Sequence, residues 1–324
     1  MKAIVCEEFA PVEKLQYKDV PDPVAEPGKV LVDISAVGVN YPDGLLVQGL
    51  YQMKPPFPFT PGTEVCGVVS EVGEGVKHLK PGQRVIGLDM LNGYAQKIAL
   101  NGHMAMPVPD GIPDDEAAGL ITAHATAHHA LKQRANLQAG ETLVVTGAAG
   151  GTGLAAVQIG KAMGATVVAV CSTQEKLDIA KENGADILIN YSETDLKAEL
   201  KKLNDGKGVD VVYDVVGGDT FDACSRAMAW NGRLLVIGFA SGTIPKFPVN
   251  LSLVKGYSVV GVFWGSFTMH EPAVFMDNMK ELLGWYLQGK VKVVVDEVFP
   301  LEKTADALNK VMNRQVKGKV ILKP

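Results

Sequence analysis

The sequence is poor in cysteine, has no excess of positive charge and contains no long apolar run. Its four cysteines, Cys6, Cys66, Cys171 and Cys224, are widely spaced and form no CxxC pair. That spacing suggests neither a disulfide framework nor a thiolate zinc site, and the thiols read as buried groups in a reducing compartment. The formal net charge of -5 argues against nucleic acid as a partner, because basic surface supplies most of such affinity. No stretch approaches the roughly 18 apolar residues of a membrane helix, and the opening MKAIVCEEF is too short in apolar content for a signal peptide. The expectation is a soluble, cytoplasmic protein with no membrane partner.

A chain of 324 residues with 47% hydrophobic content is long enough for two domains, each with its own core. Residues 1–122 read as short strands, Ala3 to Cys6, Val30 to Ala36, Glu64 to Val72, Arg84 to Gly87 and Tyr94 to Leu100. Turn clusters such as Glu26-Pro27-Gly28-Lys29 and Lys80-Pro81-Gly82-Gln83 break them at spacings of a β-barrel-like domain with little helix. A helix is predicted over Asp115 to Lys132, capped by Asp114. From Glu141 onward strands and helices alternate. The strands are Leu143 to Thr146, Thr166 to Val170, Ile187 to Ile189, Val209 to Val215, Arg233 to Ile237 and Ser258 to Val262; the helices are Leu154 to Met163, Gln174 to Asn183, Asp195 to Leu203 and Thr220 to Ala229. Six strands with crossover helices make an α/β, doubly wound, parallel Rossmann sheet. The tail predicts a helix at Asn278 to Gln288, a strand at Val291 to Val298, a helix at Leu301 to Asn313 and a closing strand at Gly318 to Leu322. Packing of this tail on the first domain makes that domain discontinuous, 1–122 plus 268–324, around a nucleotide domain at 123–267.

Leu143 to Gly153, LVVTGAAGGTG, reads as a buried strand entering a glycine-rich turn and a helix. In such a turn Gly150 serves the tight bend, Gly151 the approach of the cofactor, and Gly153 the close packing of helix on sheet. Ala149 and Thr152 complete it, and the helix N-terminus presents N–H groups to a pyrophosphate. About twenty residues further on, a site for NAD carries an acid for the ribose 2′-hydroxyl. Here the strand runs out as Val170-Cys171-Ser172-Thr173, and the first acid, Glu175, is already in the next helix beside Lys176. Hydroxyls at Ser172 and Thr173 and a charge at Lys176 suit a 2′-phosphate, so the expected cofactor is NADPH.

Several motifs in order resemble one family: Gly38-Val39-Asn40-Tyr41-Pro42-Asp43, Pro61-Gly62-Thr63-Glu64, Ala148-Ala149-Gly150-Gly151-Thr152-Gly153, Asn190-Tyr191 and Gly318-Lys319-Val320-Ile321-Leu322. The chain resembles, over nearly its whole length, the zinc-independent quinone oxidoreductases of the medium-chain dehydrogenase/reductase superfamily, which include zeta-crystallin. The resemblance implies a GroES-like catalytic domain beside the Rossmann domain. Zinc-dependent members carry a cysteine, a histidine and a cysteine where this chain has Asn40, Thr63 and Thr122, so no metal is expected. His124, His128 and His129 include an i, i+4 pair but no acid close in sequence, and packing on a helix is the favoured reading.

Without zinc, the natural reaction is hydride delivery from NADPH to an acceptor that is already electrophilic, a quinone or a carbonyl-conjugated alkene such as an enone. The resemblance places Asn40 and Asp43 on a loop beside the nicotinamide; Asn40 can hydrogen-bond the acceptor oxygen or the ribose, and the Tyr51 hydroxyl can donate to an enolate or quinol oxygen. It places Thr126 by the nicotinamide amide and Tyr191 by the adenosine phosphate. Phe239, Ser241 and Phe263 follow strand ends, where a doubly wound sheet binds its ligand. Leu45 and Val47 stand where family members often carry tyrosine and arginine, which makes the substrate pocket more apolar. The strand Ser258 to Val262 would lie at the sheet edge, where pairing is invited, and the resemblance implies a homodimer joined there. The alternatives are a non-catalytic, crystallin-like NADPH-binding protein and, more distantly, a zinc alcohol dehydrogenase.

Overall fold

The strand Lys29–Val39 pairs antiparallel with three others, Glu64–Val72, Lys97–Asn101 and Lys319–Lys323. The computed structural model describes residues 1–324. They divide into two units, Met1–Thr122 with Val293–Pro324, and Ala123–Lys292.

In the first unit a seven-stranded sheet runs Val295–Pro300, Lys319–Lys323, Lys29–Val39, Glu64–Val72, Arg84–Leu88, Ala105–Pro107, with Lys97–Asn101 added to Lys29–Val39 outside that path. Val30, Val32, Val65, Val85 and Val320 form part of one core, to which alternate residues such as Val30 and Val32 point, while Leu31 between them is buried as well. The register decides what meets at one end of the sheet: Gly38 pairs with Glu64 on one side and Ile321 on the other. Asn40, Glu64 and Lys319 are thereby gathered from three distant parts of the chain. The segment after Val39, expected as loop, begins a short helix, Tyr41–Val47, with proline near its start. Proline suits a first helical turn because its missing N–H is unneeded there.

The second unit holds six parallel strands in the order Ile187–Asn190, Thr166–Cys171, Thr142–Thr146, Val209–Asp214, Met228–Val236, Ser258–Gly261. This is the doubly wound order, with its topological switch between Thr142–Thr146 and Val209–Asp214. Strands covered on both faces read as continuous apolar runs. Leu143, Val144 and Val145 are wholly buried, and each contributes about 1.5–3 kcal/mol of transfer free energy.

Several expectations shift. The helical run begins at Asp114 with Pro113 as its cap, and continues to Arg134 through π-helical segments at Ile121–Ala125 and Ala130–Arg134. The helix expected at Thr220 to Ala229 is Gly218–Ser225; Met228 already pairs with Val209 as strand. The return to the first unit comes at Val293, not at residue 268. Helix Pro272–Leu287 stays with the second unit because Phe275, Met279 and Leu282 are wholly buried there, and Gln133 Nε2 donates to Asn278 Oδ1 at 2.9 Å. The same packing occupies the histidines. His128 Nε2 lies 2.8 Å from Glu281 Oε2, and His129 stacks on Phe267 at 3.8 Å. Burial holds both imidazoles below their ordinary pKa. No helix is long and apolar enough to cross a membrane.

Candidate functional site

The glycine turn follows the central strand of the second unit. The residue with left-handed backbone is Gly147, at φ +62; Gly150, expected to make the bend, has φ -80 and caps helix Gly151–Ala162, which starts three residues before the predicted Leu154. Gly153, expected to let the helix pack on the sheet, is tight against the turn itself, since a Cβ there would lie 2.2 Å from the Gly147 carbonyl oxygen. A Cβ at Gly150 would meet nothing closer than 3.5 Å. Gly150 gives no side-chain cap to the helix, so the opening N–H groups at Gly151, Thr152 and Gly153 have no intrahelical partner and form a receptor for an anion. The Thr152 hydroxyl is turned inward, 2.6 Å from the Tyr213 hydroxyl and 3.1 Å from the Ala123 carbonyl. Its main chain, not its side chain, is what the turn offers. Ala149 is buried beside it.

At the end of strand Thr166–Cys171, Ser172 is half-buried and Thr173 caps helix Gln174–Glu182, its oxygen accepting the Lys176 N–H at 3.4 Å. The one buried acid of the second unit is Asp214, at the end of strand Val209–Asp214, and it is consumed within the protein. It accepts from Thr146 Oγ1 at 2.6 Å and from the N–H groups of Val216 and Gly217 at 3.1 and 3.2 Å. Burial raises its pKa. Asp214 thus shapes the loop after its own strand rather than replacing the ribose acid. Tyr191 continues the third strand, its N–H donating to the Cys171 carbonyl at 3.1 Å. Phe239 and Ser241 lie on the loop after Met228–Val236, which docks through Ala240 N–H to Val215 O and Ser241 N–H to Val216 O. Phe263 is exposed after the edge strand, and Thr126 opens helix Thr126–His129. The glycine turn, Ser172, Thr173, Tyr191, Phe239, Ser241 and Phe263 therefore share the carboxyl ends of the parallel strands.

The first unit contains a buried polar cluster. Lys319 Nζ donates to Val39 O at 3.0 Å, Asn40 Oδ1 at 2.7 Å and Glu64 Oε1 at 2.7 Å. Asn40 Nδ2 donates to Glu64 Oε1 at 2.9 Å, and the Thr122 N–H to Glu64 Oε2 at 2.7 Å. Gly38 is required beneath this network, since a Cβ there would sit 2.2 Å from Glu64 Oε1. Asp43, on the helix that follows, is 1% exposed. Its Oδ2 accepts the Asn40 N–H at 2.9 Å and the Tyr94 hydroxyl at 2.8 Å. Burial pushes the Asp43 carboxyl up to about 7 against the pull of those hydrogen bonds and of Lys319. Asp43 holds the start of the helix and the backbone of Asn40. Tyr51, partly buried against the core of this unit, has its hydroxyl raised by burial and then by the Asp43 charge.

A zinc ion does not fit here. Asn40, Thr63 and Thr122 offer an amide and two hydroxyls, not thiolate or imidazole, and a lysine ammonium already lies 2.7 Å from Asn40 Oδ1. Lys319, Glu64, Tyr94 and Asp214 had no role assigned from sequence. The available signal was chemical: a lysine directly before Val320-Ile321-Leu322, and an acid before Val65-Cys66, each inside an apolar strand.

Two family patterns match the chain, one described as an alcohol dehydrogenase GroES-like domain over residues 26–131 and one as a zinc-binding dehydrogenase over residues 151–281. Quinone oxidoreductase-like protein 2 of Rattus norvegicus is 40% identical over 323 residues, covering 99% of this chain and 91% of its own. The chain belongs to the quinone oxidoreductase family of the medium-chain dehydrogenases/reductases. Among solved members of the quinone oxidoreductase fold, the Escherichia coli quinone oxidoreductase complexed with NADPH superposes with a TM-score of 0.94 at 29% identity, each chain covered to 100%. A mycobacterial protein complexed with NADPH gives a TM-score of 0.94 at 31% identity, again with 100% of both chains covered. The GroES-like and Rossmann units of this quinone oxidoreductase relative are those described above.

Proposed function

We propose that this member of the quinone oxidoreductase family binds NADPH at the glycine turn and reduces a quinone or a carbonyl-conjugated alkene without zinc. The observation that carries the reading is the second strand of the Rossmann sheet ending in Ser172 and Thr173 with no carboxylate, next to a glycine turn at the switch point. The NADPH complexes of the Escherichia coli and mycobacterial proteins support the same choice.

The N–H groups of Gly151, Thr152 and Gly153, with Ala149 and Gly150 leaving room, would hold the pyrophosphate. Ser172, Thr173 and Lys176 would take the 2′-phosphate, and Tyr191 would lie by the adenosine phosphate. Thr126, Phe239, Ser241 and Phe263 would orient the nicotinamide. When bound, NADPH supplies a hydride and leaves as NADP⁺. The protein's work is then to receive negative charge on the acceptor oxygen. The second N–H of Asn40 has only long contacts, 3.4 Å to Gly38 O and 3.5 Å to Thr63 Oγ1, and is the donor we assign to that oxygen. Tyr51 keeps its proton at neutral pH, given its raised pKa, and donates a second hydrogen bond. Asp43 acts by holding Asn40. Two copies are proposed to join through the edge strand Ser258–Gly261, where Val259 and Phe263 are 37% and 54% exposed.

Steady-state oxidation of NADPH with a quinone panel and an enone panel tests the reading. Turnover with one panel supports it and identifies the acceptor class. Stoichiometric NADPH binding with no turnover on either panel replaces it with a cofactor-binding protein.

A further inference from the structure

Lys319 is the one lysine or arginine in the buried class. An ammonium removed from water is tolerated only when its donors are all satisfied and its charge is paired. This one meets three acceptors for its three N–H groups. An ammonium that served only to tie strand Lys319–Lys323 into the sheet would need the Glu64 carboxylate. The contact with the Asn40 carboxamide is just as short, at 2.7 Å.

That contact fixes which way the carboxamide points. An ammonium only donates, so the atom facing it is Oδ1; a carboxylate only accepts, so the atom facing Glu64 is Nδ2. The amide is clamped from both sides, with one Nδ2 hydrogen spent on Glu64 and the other held only by the long contacts to Gly38 and Thr63. A positive charge on Oδ1 also draws electron density from Nδ2 and strengthens that remaining hydrogen as a donor.

We propose that Lys319 is a positioning residue for the reduction, its buried ammonium orienting and polarising the Asn40 carboxamide toward the acceptor oxygen. The proposal rests on the assignment of Asn40 to that oxygen. Lys319 and Glu64 act on the reaction only through Asn40, so their effect depends on Asn40 being present.

The test compares wild type, Asn40→Ala, Lys319→Met/Glu64→Gln and the triple variant. The paired substitution removes both charges together, so Glu64 is not left as a buried carboxylate without its ammonium. NADPH binding stoichiometry gives the folded fraction to which each kcat is normalised. Lys319→Met/Glu64→Gln is expected to lower kcat about tenfold with unchanged NADPH affinity, and to lower it by less than about twofold when Asn40 is already alanine. The same loss in both backgrounds, or no loss in either, overturns the proposal while Asn40→Ala remains impaired. An Asn40→Ala variant as active as wild type overturns instead the assignment of Asn40 on which it stands.

Discussion

Lys319 Nζ lies 2.7 Å from Glu64 Oε1, with the two side chains 5% and 0% exposed. Desolvating both ions costs several kcal/mol each, and the cost is offset only while both are present. Lys319→Met alone strands the Glu64 carboxylate and is expected to destabilise the first unit by about 3–5 kcal/mol in urea titration. Lys319→Met/Glu64→Gln should recover most of that loss. A single variant as stable as wild type would show that water reaches Glu64.

Asp43 gives the fold a pH dependence of defined sign. Its folded pKa of about 7 lies above the ordinary 3.8, so between those values the folded state holds a proton that the unfolded state has lost. Stability from this group is therefore highest at the acid end of the window and falls as pH rises through it, by about 4 kcal/mol at most. Asn at this position keeps an acceptor for Tyr94 and the Asn40 N–H without the titration. The stability difference between Asp43→Asn and wild type should grow with pH from about 4 to about 7; a constant difference contradicts a buried, proton-holding Asp43.

How much of this was legible in the sequence depended on whether a feature was local. The six parallel strands were readable because residues such as Val144 and Val168 belong to apolar runs that a sheet covered on both faces demands. The glycine turn was readable as a motif, but its division of labour was not: Gly147 and Gly150 differ in φ, which spacing does not encode. The domain return at Val293 is not readable from sequence, because helix Pro272–Leu287 shows its apolar residues without showing which unit they enter. The Lys319 cluster was hidden for a related reason. Its members are 24 and 255 residues apart in sequence from Glu64 and meet only through strand register.

The glycine turn separates steric from binding effects. Gly153→Ala puts a Cβ 2.2 Å from a backbone oxygen, whereas at Gly150 the nearest atom is 3.5 Å away and φ is already negative. Gly153→Ala should cost about 1–3 kcal/mol of stability, read by thermal melting. Gly150→Ala should melt within about 1 kcal/mol of wild type and yet bind NADPH more weakly, as expected of a side chain added where a pyrophosphate would meet the helix start. A Gly150→Ala variant with unchanged affinity would remove the cofactor from this turn.

The edge strand offers a separate check. Val259→Lys adds a charge to an exposed position on Ser258–Gly261 and should shift a dimer toward monomer in light scattering at micromolar concentration, with the melting of the isolated chain little changed. A wild-type protein that is monomeric at that concentration contradicts pairing along this strand.

An NADPH-dependent reduction is tested most directly by kcat/KM for NADPH against NADH with one accepted quinone or enone. The strand end at Ser172 and Thr173, with Lys176 beyond it and no carboxylate, predicts at least about tenfold preference for NADPH. Equal values for the two cofactors, or a preference for NADH, would contradict it.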